Sequence, residues 1–121
     1  MLDQLAQLKS SWPGTEWTWD SRFSTVGSSF TLALEPQARA SAKHALTREW
    51  TVNTLADAPE GLRALAARSG GLRAGQKLLA GDDDPLFGLW WPWGNGQTIT
   101  LRIGCFDDDA NTMVRALFGV G

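Results

Sequence analysis

"LFGLWWPWGNGQTITLRIGCF", residues 86–106, decides how this chain is read. Three tryptophans fall within four positions, just ahead of an Asn-Gly pair flanked by strand-like residues. Asn-Gly is the strongest short-range hairpin signal, because a type I′ turn needs positive φ at both central residues. Centring a two-residue turn on Asn95-Gly96 predicts strands at about 86–93 and 97–105. Trp93 is then set opposite Thr98, Trp91 opposite Thr100, Trp90 opposite Leu101 and Leu89 opposite Arg102. Side chains alternate along a strand. One face therefore carries Leu86, Gly88, Trp90 and Pro92 with Ile99, Leu101, Ile103 and Cys105, an aliphatic core face. The other carries Phe87, Leu89, Trp91 and Trp93 beside Thr98, Thr100 and Arg102. Pro92 cannot donate to a ladder, which places its strand at an edge or at a bulge.

The flanking segments supply the rest of an α+β domain. "LDQLAQLK" has helical spacing and stops at "SSWPG". "TEWTWDS" alternates, with Trp17 and Trp19 on one side and Glu16, Thr18 and Asp20 on the other. "STVGSSFTLALE" alternates too, aligning Phe30, Leu32 and Leu34, and pairs antiparallel with its predecessor. After Pro36, Ala38, Ala42, Ala45 and Leu46 form a helical stripe whose small residues let the helix lie close to a sheet. "REWTVNTL" returns to period two. "DAPEGLRALAARSGG" reads as a helix opened by an Asp57–Glu60 capping box and ended by Gly70-Gly71. "GQKLLAG" reads as a strand, and "DDDANTMVRALFG" as a last helix with acidic residues at the positive end of its dipole. Strands that look hairpin-linked predict a mainly antiparallel sheet in one α+β domain over residues 1–121, with helices packed on one face.

Totals narrow the functional classes. At 121 residues, 43% hydrophobic and 20% charged, the chain suits one ordinary globular domain. A net charge of −2 offers no whole-molecule attraction to nucleic acid or to a membrane surface. Basic residues gather between positions 39 and 77, whereas from residue 78 onward six aspartates stand in the triplets 82–84 and 107–109. One cysteine excludes an intramolecular disulfide. The opening residues lack a signal-like pattern, and no apolar run nears the roughly 20 residues of a membrane span, so a soluble, cytoplasmic protein is expected.

Catalytic and metal chemistry find little footing. His44, the only histidine, lies on an alanine-rich helix beside Lys43, with no nucleophile motif near it. Cys105 falls on the core face of the last strand and reads as a buried small hydrophobe. The aspartate triplets lack calcium-loop spacing, and "GGLRAGQK" lacks phosphate-loop spacing. No enzyme, cofactor or metal is expected. Seven tryptophans exceed what a core this size needs. The aromatic hairpin face is either more core or an exposed patch, and tryptophan and arginine are enriched at interface hot spots. The expected function is a non-catalytic protein-binding module, an adaptor, chaperone-like or accessory subunit. It would meet another protein or a second copy of itself through Phe87, Leu89, Trp91, Trp93 and Arg102. Two alternatives are an immunity or antitoxin protein using its acidic turns on a basic partner, and a small-ligand domain with stacked tryptophans.

Overall fold

A computed structural model describes residues 1–82 and 85–120. The chain runs α1 (Leu2–Ser11), β1 (Thr18–Asp20), β2 (Thr25–Thr31), α2 (Glu35–Ala42), β3 (Arg48–Trp50), α3 (Glu60–Arg68), β4 (Lys77–Ala80), β5 (Leu86–Pro92), β6 (Thr98–Cys105) and α4 (Asp108–Phe118). The described strands form one antiparallel sheet in the order β1-β2-β6-β5-β4-β3. This is the expected α+β domain, organised around the hairpin.

Leu89 faces Arg102, Trp90 faces Leu101 and Trp91 faces Thr100, the register expected from the sequence. The turn itself differs. Trp93 N–H donates to Thr98 O at 2.8 Å, and Gly96 N–H closes back on Trp93 O at 3.2 Å. Only Gly96 has positive φ in this loop, at 70°, so Asn95 does not take the left-handed conformation of a type I′ turn. Its side-chain carbonyl instead accepts from Gln97 N–H (2.9 Å) and Thr98 N–H (3.1 Å). Asparagine often spends its side chain on its own turn in this way. The Trp93–Thr98 pairing is kept, so the two faces are unchanged.

Pro92 does not mark an edge strand, since β5 lies inside the sheet. Trp93 N–H points to β6, so by alternation the Pro92 nitrogen points to the β4 side. There the ladder has already ended with Lys77 opposite Trp90. The missing donor costs nothing at that position.

The first face packs α1, α2 and α4. Leu5, Leu8, Ala38, Ala42, Leu46, Val114 and Phe118 close over Val26, Phe30, Leu79, Leu86, Trp90, Leu101 and Ile103. Trp12, Trp17 and Trp19 extend this core to the β1 edge, where Trp17 meets Phe118 at 4.6 Å and Arg115 lies 4.1 Å over Trp19. Gly88 marks how tight the packing is, because a Cβ there would stand 2.8 Å from Leu46 Cδ1.

α3 departs from the expected arrangement and packs on the opposite face. Leu62, Leu65 and Ala66 cover Leu78, Ala80, Phe87 and Leu89, a second cluster of opposite parity along β4 and β5. A strand that is apolar on both sides needs two covers, and β5 is such a strand. The expected capping box is also absent. Asp57 ends a short 3₁₀ turn, Ala58 is extended, and the helix starts after Pro59 without a side-chain cap. The residue before a proline is pushed out of the helical region, which moves the start downstream.

Candidate functional site

α3 shades only the β3-β4-β5 half of its face. The remaining half, over β1, β2 and β6, carries no helix and forms a trough of about 490 Å³. Its floor alternates with the core beneath. Val26 and Phe30 point down to the helices while Gly27 and Ser29 point up, and Leu101 points down while Thr100 and Arg102 point up. Thr15, Glu16 and Thr18 line one side and Trp93 lines the other. The Thr15 side is tied to the sheet, its N–H donating to Ser29 O at 2.9 Å and its hydroxyl accepting from Ser29 N–H at 3.0 Å.

Trp93 is 53% exposed, yet its indole is held in place. Its Nε1–H donates to Thr100 Oγ1 at 2.7 Å, and Thr100 shares a hydrogen bond of 2.7 Å with Ser29 Oγ. Thr100 is buried and satisfied by these two partners, so its polar side chain sits in the interior without the usual penalty.

Arg102 is fixed from three directions. Its guanidinium lies 5.2 Å from the Phe23 ring centroid and 5.4 Å from that of Trp91. Nη1 donates to Asp20 Oδ2 at 2.9 Å. A Cβ on Gly27 would lie 3.4 Å from Nη1, so the glycine lets the long side chain cross the strand. Asp20 also accepts from Arg22 at 3.1 Å, and this hydrogen bonding is the leading cause that holds its carboxyl below the ordinary aspartate range. Burial lowers the Arg102 pKa while Asp20 opposes that shift, and the guanidinium stays charged. Arg102 Nε, Trp91 Nε1 and Thr25 Oγ1 are buried without a hydrogen-bond partner among the described residues.

The residues singled out by sequence separate into two groups. Phe87 and Leu89, 5% and 1% exposed, are core beneath α3 and do not reach the trough. Trp91 is half-buried, its ring edge-on to Phe23 at 5.1 Å. Trp93 and part of Arg102 reach the trough. Sequence reasoning missed Thr15, Gly27 and Ser29, together with the use of Glu16, Thr18 and Asp20. The alternation of "TEWTWDS" did set the last three opposite the tryptophans, but nothing in the sequence placed β1 and β2 beside β6.

Other sequence candidates take structural places. His44 is exposed just past α2, and Cys105 is buried at the end of β6. Asp107 caps α4, its carboxylate accepting from Asp109 N–H at 3.3 Å. Asp82 accepts from Thr47 Oγ1 at 2.6 Å, while Asp83 and Asp84 lie outside the described residues. Gly70, Gly71 and Gly75 adopt positive φ in the loop before β4. Among the described residues no three His, Cys, Asp or Glu side chains gather closely enough to hold a metal ion, and no helix is long and apolar enough to cross a membrane. No family model matches the chain, and comparison with curated proteins and with solved structures gives no match.

Proposed function

We propose that the chain is a non-catalytic protein-binding module whose partner seats a segment in the open trough. The observation that carries this reading is Trp93, a large ring more than half exposed and pinned by its own N–H over an uncovered half-sheet. An anchor held in its bound rotamer loses little entropy on association, and tryptophan is among the residues that dominate interface energetics. The floor of Gly27, Ser29 and Thr100 is low, so a partner's backbone can come close. Arg102 and Asp20 form an ion pair beside it, an arrangement that holds shape rather than moving protons. Glu16, Asp20, Arg22 and Arg102 sum to zero formal charge, which suits a neutral, polar segment whose association depends little on salt.

A photo-crosslinking residue at Thr18, with a control at the exposed Met113 of α4, tests the reading in the native host. A single host protein should crosslink at Thr18 and not at Met113, and the adduct should vanish in a Trp93→Ala background. An adduct with a second copy of the chain would reassign the partner. An adduct indifferent to Trp93, or none at all, would remove the trough as the binding site.

A further inference from the structure

A second cavity lies away from the trough, between the β1–β2 turn, the end of α3 and the start of α4, with a volume of about 360 Å³. Leu65, Phe87 and Phe23 give it apolar walls, and Phe106 packs at a tilt against Phe87, ring centroids 5.1 Å apart, while remaining 46% exposed. Two opposite charges face the same space. Arg68 comes from the last turn of α3 and Asp108 from the first position of α4. Neither has an ion-pair partner among the described residues, and they do not pair with each other. Arg22 also lines the cavity but is already engaged by Asp20. Asn111 ties the walls together, its Oδ1 accepting from Cys105 N–H at 3.0 Å and its Nδ2–H donating to Ser24 O at 3.4 Å.

We propose that this cavity binds a small zwitterion with an apolar side chain, the chemistry of a free aromatic amino acid. A simple anion would meet Arg68 but face Asp108, and a simple cation would meet the reverse. A ligand carrying both charges answers both groups at once, and its side chain covers the exposed ring of Phe106. The volume falls within the ~300–1,000 Å³ typical of small-molecule sites. Apolar walls with a few convergent polar groups are the usual composition of such sites. The proposal is independent of the trough and of any protein partner.

The test is a ¹H–¹⁵N NMR titration of the whole chain with L-phenylalanine, L-phenylalaninamide and N-acetyl-L-phenylalanine. L-Phenylalanine should move the amide signals of Ser24, Ser69 and Phe106 to saturation at millimolar concentration. Each blocked analogue should bind at least about tenfold more weakly, because one charge of the pair is left without its partner. Arg68→Gln should abolish discrimination against the amide only, and Asp108→Asn discrimination against the acetylated form only. Both side chains lie on exposed helix positions, so the variants should keep the wild-type spectrum outside the cavity. Absence of saturable shifts would overturn the proposal. Equal binding of all three probes would overturn it too, since that describes an unselective aromatic cleft.

Discussion

Replacing the three clustered tryptophans one at a time with alanine should produce three different losses of stability. Trp90 is fully buried, with its ring 5.1 Å from Phe30 in the core beneath the helices. Its removal should cost ~3–5 kcal/mol, the range for a large aromatic deleted from a packed interior. A domain of this size has ~5–15 kcal/mol in all, so Trp90→Ala should stand close to unfolding. Trp91 is half-buried and keeps an edge-on contact with Phe23 and a stacked Arg102. Those contacts are worth ~0.5–1.5 and ~0.5–1 kcal/mol. With the apolar area that returns to water, Trp91→Ala should cost about 2–3 kcal/mol. Trp93 is 53% exposed and loses one hydrogen bond with the smaller part of its burial, and Thr100 keeps Ser29 as a partner, so about 1–2 kcal/mol is expected.

Urea denaturation followed by far-ultraviolet circular dichroism measures this without relying on the tryptophan signal being changed. The midpoints should fall in the order wild type, Trp93→Ala, Trp91→Ala, Trp90→Ala, with unchanged slopes. Trp93→Ala costing as much as Trp90→Ala would mean that the trough is closed in solution, and the reasoning about an exposed anchor would fail. Iodide quenching gives an independent check. Trp93 is the only tryptophan more than half exposed among the described residues, so its removal should abolish most of the quenchable emission.

Asp20 should couple stability to acid. Its folded pKa is depressed, chiefly by its hydrogen bonds to Arg22, so its contribution is present above the unfolded value near ~4 and is lost as pH falls through the lower folded value. Urea midpoints measured against pH should therefore drop more steeply below about pH 4 in wild type than in Asp20→Asn, and parallel curves would refute this. Gly27→Val should force Arg102 off Asp20, whereas Gly27→Ala, whose Cβ stands 3.4 Å from Nη1, should be tolerated; thermal melts of the two variants decide it. Asp107→Ala should lower stability by ~1 kcal/mol through loss of the α4 cap, measured by urea denaturation. Changing Asp107, Asp108 and Asp109 together to asparagine should likewise lower the melting temperature slightly, with the same response to added calcium as wild type; a calcium-dependent rise in wild type alone would argue for a metal site.

The hairpin register and the contents of its two faces were legible because an Asn-Gly loop and period-two alternation each constrain the same pairing. Strand order was not legible. Nothing local in "STVGSSF" says that it lies against β6, and that pairing is what turns Gly27 and Ser29 into the floor of a trough. The pairing of Asp20 with Arg102 depends on it too, since the two residues are 82 positions apart. Turn chemistry was legible only to the level of a tight loop, because Asn95 can serve a turn through its backbone or through its side chain, and both close the same strands.

The position of α3 was written in the sequence in a form that only the sheet order makes readable. On the second face of the sheet, large apolar residues occupy β4 and β5, namely Leu78, Phe87 and Leu89, and stop there. One strand further on, the same face of β6 presents Thr98, Thr100 and Arg102, and β2 presents Gly27, Ser29 and Thr31. A cover held by the hydrophobic effect extends only as far as the apolar surface beneath it. The border between Leu89 and Arg102, directly opposite each other across one ladder, is therefore the border of α3's footprint. Trp91 and Phe23 stand on that border in edge-on contact, with the Arg102 guanidinium 5.2 Å from the Phe23 centroid and 5.4 Å from that of Trp91. Past it the floor is polar and low, with Ser29, Thr100 and Trp93 hydrogen-bonded to one another, so little apolar surface is left bare there. Trp93 lies on the bare side, outside both apolar clusters, and under the proposed function its exposed ring is the surface a partner would cover.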